Sequence, residues 1–99
     1  MFKWDTRKAA VNRIKHGVSL EEAATVFGDP EALDGPDRRH SDRERRLLRL
    51  GRAASGRVLF VAYTLRRRGD GEGENEGVRI ISARRASRKE RSAYQAGQD

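Results

Sequence analysis

The chain has 99 residues and no cysteine, which fits one domain over residues 1–99 and excludes disulfide bonds and thiolate metal sites. Its net charge of +7 predicts an anionic partner. Nucleic acid is the first candidate, an acidic protein the second and a membrane surface the third. No apolar run is long enough to span a membrane, and the first residues lack the apolar segment of a signal peptide, so we expect a cytoplasmic protein.

The beginning of the chain predicts a short strand and a first helix. Residues 2–4 alternate between apolar and polar side chains, as a strand does. Asp5 is a good N-cap and Gly17 a good stop, which together predict a helix that runs to about His16. Its apolar residues at helical spacing are Ala10, Val11 and Ile14, and its separate polar stripe is Lys8, Asn12 and Lys15.

A second helix follows directly. Ser19 and Glu22 form a capping box at its start, and the turn at residues 28–30 ends it. Residues 31–33 are a candidate short strand, and residues 34–37 have the composition of a turn. The buried face of this helix is expected to consist of Leu20, Ala23, Ala24 and Phe27.

The second half of the chain predicts strands joined by short connections. Arg45–Gly51 indicates one strand, and residues 53–56 a tight connection to the next. Arg57–Leu65 is apolar on both faces, which places it in the centre of a sheet. The charged, glycine-rich residues 66–77 indicate an exposed, mobile hairpin loop, and Val78–Ser82 indicates a further strand.

Ser87 and Glu90 form another capping box, which predicts a last helix through about Tyr94. Consecutive strands with short connections favour antiparallel pairing. The predicted fold class is therefore α+β, with a small antiparallel sheet flanked by two N-terminal helices and one C-terminal helix.

The densest signal for function is a basic cluster around the start of the last helix. A helix N-terminus presents unpaired N–H groups and the positive end of the dipole, and added guanidinium groups can complete a phosphate site. The alternative is an ordinary solvated basic surface. The members of the cluster are Arg79, Arg84, Arg85, Arg88, Lys89 and Arg91.

Other candidate residues carry weaker signals. Trp4 and Lys8 could stack a base and hold a phosphate, although a lone tryptophan more often belongs to the core. His16 and His40 are the only histidines and are candidates for proton transfer, although His16 also suits a helix C-terminus. The acidic residues between Asp29 and Asp37 fit turns better than a metal site, so we expect neither metal nor cofactor.

Three stretches, in this order, resemble the BrnT family of toxins, and together they cover nearly the whole chain. The main departure is the loop at residues 66–77, which looks expanded. The residues that carry the resemblance are Trp4, Asp5, Lys8, Asn12, Lys15–Ser19 and Glu21–Ala23, then Leu50–Arg52, Gly56–Leu59 and Tyr63–Thr64, then Arg79–Arg84, Ala86–Ser87, Glu90–Arg91 and Tyr94.

The resemblance implies a RelE-like fold and the toxin of a type II toxin–antitoxin system, an endoribonuclease that inhibits translation. It also implies neutralisation by a BrnA-like antitoxin, in a complex that represses its own promoter, so that operator DNA is contacted only through the antitoxin. Two alternatives remain open on the residues alone: a non-enzymatic RNA- or DNA-binding module, and an interaction protein for an acidic partner.

The chemistry of such a toxin needs few groups, because RNA carries its own nucleophile, the 2′-hydroxyl. The enzyme aligns it, accepts its proton and stabilises the charged phosphorane, and arginine can supply that charge without a metal. We expect Arg52 and Arg84 to contact the transition-state phosphate and either Lys89 or His16 to transfer protons. The expected RNA-binding residues are Trp4, Lys8, Arg79 and Arg91.

Overall fold

The computed structural model describes residues 2–39, 45–66 and 77–97. Within them, five strands form one sheet in the order β1-β5-β4-β3-β2. In the same ranges, two α-helices lie between the first strand and the other four, and a last helix follows the strands, which confirms the α+β class. The elements are β1 (Phe2–Lys3), α1 (Thr6–His16), α2 (Leu20–Thr25), a short 3₁₀ helix (Val26–Gly28), β2 (Leu33–Pro36), β3 (Leu47–Arg52), β4 (Val58–Arg66), β5 (Gly77–Arg85) and α3 (Arg88–Ala96).

The sheet is mixed, so the prediction of a purely antiparallel sheet is wrong at one edge. β1 pairs with β5 in parallel, with Phe2 opposite Val78, whereas the other neighbouring strands are antiparallel. Hairpin reasoning applies only to consecutive strands, and β1 is separated from β5 by most of the chain. The central position of β4 is confirmed. β5 extends to Arg85 rather than ending at Ser82.

The predicted turn at residues 34–37 is largely a strand. Leu33–Pro36 pairs with β3 at the edge of the sheet, where a proline is tolerated because its missing N–H would face solvent. The Asp34 carboxylate accepts hydrogen bonds from Arg49 at 2.7 Å and from the Tyr63 hydroxyl at 2.9 Å. Tertiary partners therefore override the turn preference of these residues. The interior of the predicted loop, residues 67–76, and His40 lie outside the described residues.

One face of the sheet packs against α2 and the 3₁₀ helix. Leu20, Ala23 and Val26 are fully buried against Leu59 and other residues of the strands, which confirms the predicted buried face of α2 at its first positions. Ala24 and Phe27 pack against the same core but are only partly buried. Ser19 caps α2 by accepting a hydrogen bond from the Glu22 N–H at 3.0 Å. The other half of the predicted capping box is not formed, because the Glu22 carboxylate instead accepts hydrogen bonds from Ser55 and Arg57.

α1 begins after Asp5 and ends before Gly17, as predicted, but its buried side is unexpected. Asn12, from the polar stripe, is 5% exposed, whereas Val11 is 57% and Ile14 is 86% exposed. The Asn12 amide donates to the Ala83 carbonyl at 2.8 Å and accepts from the Ala83 N–H at 3.1 Å. β1 pairs with β5 only at Val78 and Arg79, so Asn12 supplies the pairing that Ala83 would otherwise lack at this edge.

α3 covers one end of the opposite face of the sheet. The predicted capping box of Ser87 and Glu90 is present. Tyr94 is 2% exposed and packs in a cluster with Leu50, Val58 and Ala86. Its hydroxyl donates to the Asp29 carboxylate at 2.6 Å, which fixes α3 to the segment after the 3₁₀ helix.

Candidate active site

The part of the second sheet face that α3 leaves uncovered forms a groove of about 600 Å³. Its floor contains a row of cross-strand neighbours, Leu48, Ala62 and Ser82, from β3, β4 and β5. A second row includes Phe60 opposite Arg84. We call this the sheet groove; it is lined by His16, Asp37, Arg39, Arg46, Leu48, Phe60, Ala62, Ser82, Ala83 and Arg84.

Arg84 is held in a fixed orientation in the sheet groove. Its guanidinium donates two hydrogen bonds to the Glu90 carboxylate, at 2.8 and 2.9 Å, and lies 4.6 Å from the centroid of the Phe60 ring. The hydrogen bonds from Arg84 lower the pKa of Glu90 to about 2, and the same pair raises the pKa of Arg84. The cation is therefore in place before a ligand arrives, as preorganised charge stabilisation requires.

His16 is the last residue of α1 and lies at the rim of the same groove. This position at the C-terminal end of α1 is the one that the sequence predicted. The Asn12 amide holds α1 against Ala83, the residue before Arg84. This link brings His16 and Arg84 to one site although they are far apart in the sequence.

Two further arginines in the sheet groove, Arg39 and Arg46, were not among the sequence candidates. Near them, Asp37 is buried; its carboxylate accepts the Arg39 N–H at 3.2 Å and its own N–H donates to the Arg46 carbonyl at 2.9 Å. The available signal was the spacing of Arg46, which directly precedes β3, from Leu48: in an extended chain, side chains two residues apart lie on the same face.

Lys8 and Arg79 lie beside the sheet groove. They line a small cavity of about 60 Å³ together with Asp5 and Arg46, and Arg46 also lines the groove. The small cavity therefore adjoins the sheet groove at Arg46, and three of its four charged lining residues are cationic. Trp4 is half-buried and packs against the hydrophobic core, which favours the core alternative for this residue.

The remaining predicted residues lie at α3 and at the β3–β4 turn. Arg52 donates to the Gly56 carbonyl at 2.8 Å, and its guanidinium is 5.5 Å from the Tyr94 ring. Arg91 donates to the Ala86 carbonyl at 3.0 Å, and Lys89 is exposed on α3. Of the four predicted catalytic residues, the sheet groove thus brings together Arg84 and His16.

The acidic residues of the described ranges do not form a metal site: no three His, Asp or Glu side chains there lie close enough to hold an ion. Asp29 instead accepts hydrogen bonds from the N–H groups of Glu31 and Arg52 and from the Tyr94 hydroxyl. No described helix is long and apolar enough to cross a membrane.

The family model "Ribonuclease toxin, BrnT, of type II toxin-antitoxin system" matches residues 4–90. Among solved structures, the chain is similar to the ribonuclease toxin BrnT of Brucella abortus, with a TM-score of 0.61 and 23% sequence identity. The match covers 89% of this chain and 99% of that chain, and it shows a shared fold. No curated protein matches the chain.

Proposed function

Because the chain belongs to the BrnT family of ribonuclease toxins of type II toxin–antitoxin systems, we propose that the sheet groove cleaves RNA without a metal ion. The observation that carries this proposal is the meeting of His16 and Arg84 in one groove with Arg39 and Arg46. These residues provide a proton-transfer group, a fixed cation and two further cations.

In this mechanism the His16 imidazole accepts the proton of the RNA 2′-hydroxyl. The 2′-oxygen attacks the adjacent phosphorus, and the bond to the 5′-oxygen breaks. The products are a 2′,3′-cyclic phosphate and a 5′-hydroxyl, and the leaving oxygen takes up the proton from the imidazolium. General acid–base catalysis of this kind contributes about 10²–10⁴-fold in rate.

Arg84 stabilises the charge that accumulates on the phosphorane. Glu90 and the Arg85 carbonyl take three of the five guanidinium N–H groups. The two that remain, on Nε and Nη2, are the donors to the phosphate oxygens. Arg39 and Arg46 hold the neighbouring phosphates, and Lys8 and Arg79 extend the path of the RNA backbone along the adjoining basic surface. Arg52 and Arg91, at the α3 end of the molecule, contact RNA beyond the groove.

Membership of the family supports the biological setting that we propose. The toxin cleaves RNA in the cytoplasm and so inhibits translation, and a BrnA-like antitoxin neutralises it. The complex of the two proteins contacts operator DNA through the antitoxin.

The test uses purified protein and end-labelled RNA in EDTA. We expect cleavage that leaves cyclic phosphate ends, and no cleavage of RNA with a 2′-deoxy sugar at the cut position. An Arg84→Ala protein, purified in parallel, controls for contaminating nucleases. RNA that is retained but never cut would show a binding module instead, and activity that returns only with Mg²⁺ would refute metal independence.

A further inference from the structure

α1 presents an apolar surface that the fold does not use. Asn12 faces the sheet, so Val11 and Ile14 face away from it, at 57% and 86% exposure. Beside Val11, a groove of about 340 Å³ separates α1 from Ile81 of β5. We call Val11, Ile14 and this groove the α1 patch. The polar rim of the groove includes Arg7, Lys8 and Lys15.

The chemistry of the α1 patch favours a protein segment over RNA. Val11 and Ile14 are aliphatic, so they offer neither an aromatic ring for base stacking nor a hydrogen bond to phosphate. Burying them stabilises a complex at about 25 cal/mol per Å² of apolar surface, and only an apolar partner surface provides that burial.

The charge of α1 disfavours a second copy of the chain as the occupant. The helix carries four cationic residues and no acidic one: Arg7, Lys8, Arg13 and Lys15. Two α1 patches face to face would bring like charges together, which costs free energy in an interface. A segment with apolar residues in its centre can bury Val11 and Ile14, and Asp or Glu residues around that centre can pair with the cationic rim of the α1 patch.

We propose that the α1 patch is the docking surface for an acidic, amphipathic segment of the antitoxin. This inference rests on the proposed function only in naming the antitoxin as the partner. The α1 groove and the sheet groove share two lining residues, His16 and Ser82. A segment bound in the α1 groove therefore contacts His16, and it inhibits cleavage by covering this residue without filling the sheet groove.

The test compares Ile14→Glu with Leu65→Glu, an exposed aliphatic position on β4 at 60% exposure. The probe is the purified small protein encoded beside the toxin gene, titrated into each variant. We expect Ile14→Glu to bind it at least about tenfold more weakly than wild type, because a charge replaces an apolar contact among the interface anchors. Leu65→Glu should bind like wild type. Ile14→Glu alone should still cleave RNA, and the partner should fail to inhibit it.

The other outcomes separate this proposal from the proposed function. If Ile14→Glu cleaves RNA and is inhibited like wild type, or if the wild type does not bind the probe, the docking surface is wrong and the nuclease stands. Weaker RNA binding by Ile14→Glu would assign the patch to RNA. A wild-type dimer that Ile14→Glu converts to a monomer would assign it to a second copy. A wild type that binds the partner but never cuts RNA would overturn the proposed function alone.

Discussion

The two faces of the sheet are built from the same strands but differ in what covers them. On the face under α2, Leu59 and Val61 are fully buried and Ile80 is 2% exposed. On the other face, Phe60 and Ala62 alternate with those residues along β4 and form the floor of the sheet groove. The comparison teaches that neighbouring residues of one strand have different roles: one face supplies the larger buried cluster, and the part of the other face that α3 leaves uncovered carries the proposed chemistry.

The largest expected effect is on the covered face. Leu59→Ala should lower the free energy of unfolding by about 2–5 kcal/mol, because it leaves a cavity in the core. Urea denaturation measures the loss, and cleavage per folded molecule should not change. Leu65→Ala, on the same strand but exposed, should cost about 0.5 kcal/mol or less. A folded Leu59→Ala protein with slow cleavage would contradict the division between the faces.

The next effect belongs to the sheet groove. Arg84→Ala should slow RNA cleavage by about 10²–10³-fold, because it removes a preorganised donor to the charged phosphorane. Arg84→Lys should rescue the rate only in part, because a point charge does not reproduce the guanidinium fork. Arg85→Ala is the matched control, since Arg85 is exposed and pairs opposite Leu59. The measurement is the single-turnover rate of RNA cleavage by each variant. An Arg84→Ala rate within about threefold of wild type would show that Arg84 is not catalytic.

A smaller effect concerns the pH dependence of stability. Arg84 holds the pKa of Glu90 at about 2, below its ordinary value of 4.5. A depressed carboxyl pKa stabilises the fold above the unfolded pKa, and the contribution is lost as the pH falls from about 4.5 towards 2. Urea titrations of wild type and Glu90→Gln should therefore converge over this range. Glu22, whose pKa Arg57 lowers, contributes equally to both proteins. A stability difference that does not change with pH would refute the pairing.

The smallest expected effect concerns the segment that joins β4 to β5. Residues 67–76 join Arg66 and Gly77, which are paired across β4 and β5. Halving this glycine-rich, acidic segment should change stability by about 0.6 kcal/mol through loop closure. Cleavage and Tm of the shortened protein measure the result. A folded variant without activity would show that the loop takes part in the reaction.

Much of the fold follows from local chemistry that the sequence displays. The caps at Asp5, Gly17 and Ser87 were predicted because each acts on its own helix. The strand at residues 33–36 was predicted too early in the chain, at residues 31–33, because its partners, Arg49 and Tyr63, are distant in the sequence. The inward side of α1 was missed for the same reason, since only the position of Ala83 makes a buried Asn12 favourable.

The candidate site was predicted less completely than the fold. Arg84 stood out because it lies in a dense basic cluster near a helix N-cap, and His16 because histidines are few. Arg39 and Arg46 become candidates only when the uncovered face of β3 is known. Arg52 matched the family pattern, but its hydrogen bond to Gly56 places it at the β3–β4 turn.

The hydrogen bonds between Asn12 and Ala83 also determine how early during synthesis the sheet groove can form. The two residues are 71 positions apart, and at roughly 5–20 residues per second the ribosome makes Ala83 about 4–14 s after Asn12. During that interval α1 has no partner for its inward amide, and His16 does not yet share a groove with Arg84. On the proposed mechanism the nascent chain is therefore inactive until Arg84 has been made and has joined His16 in the sheet groove.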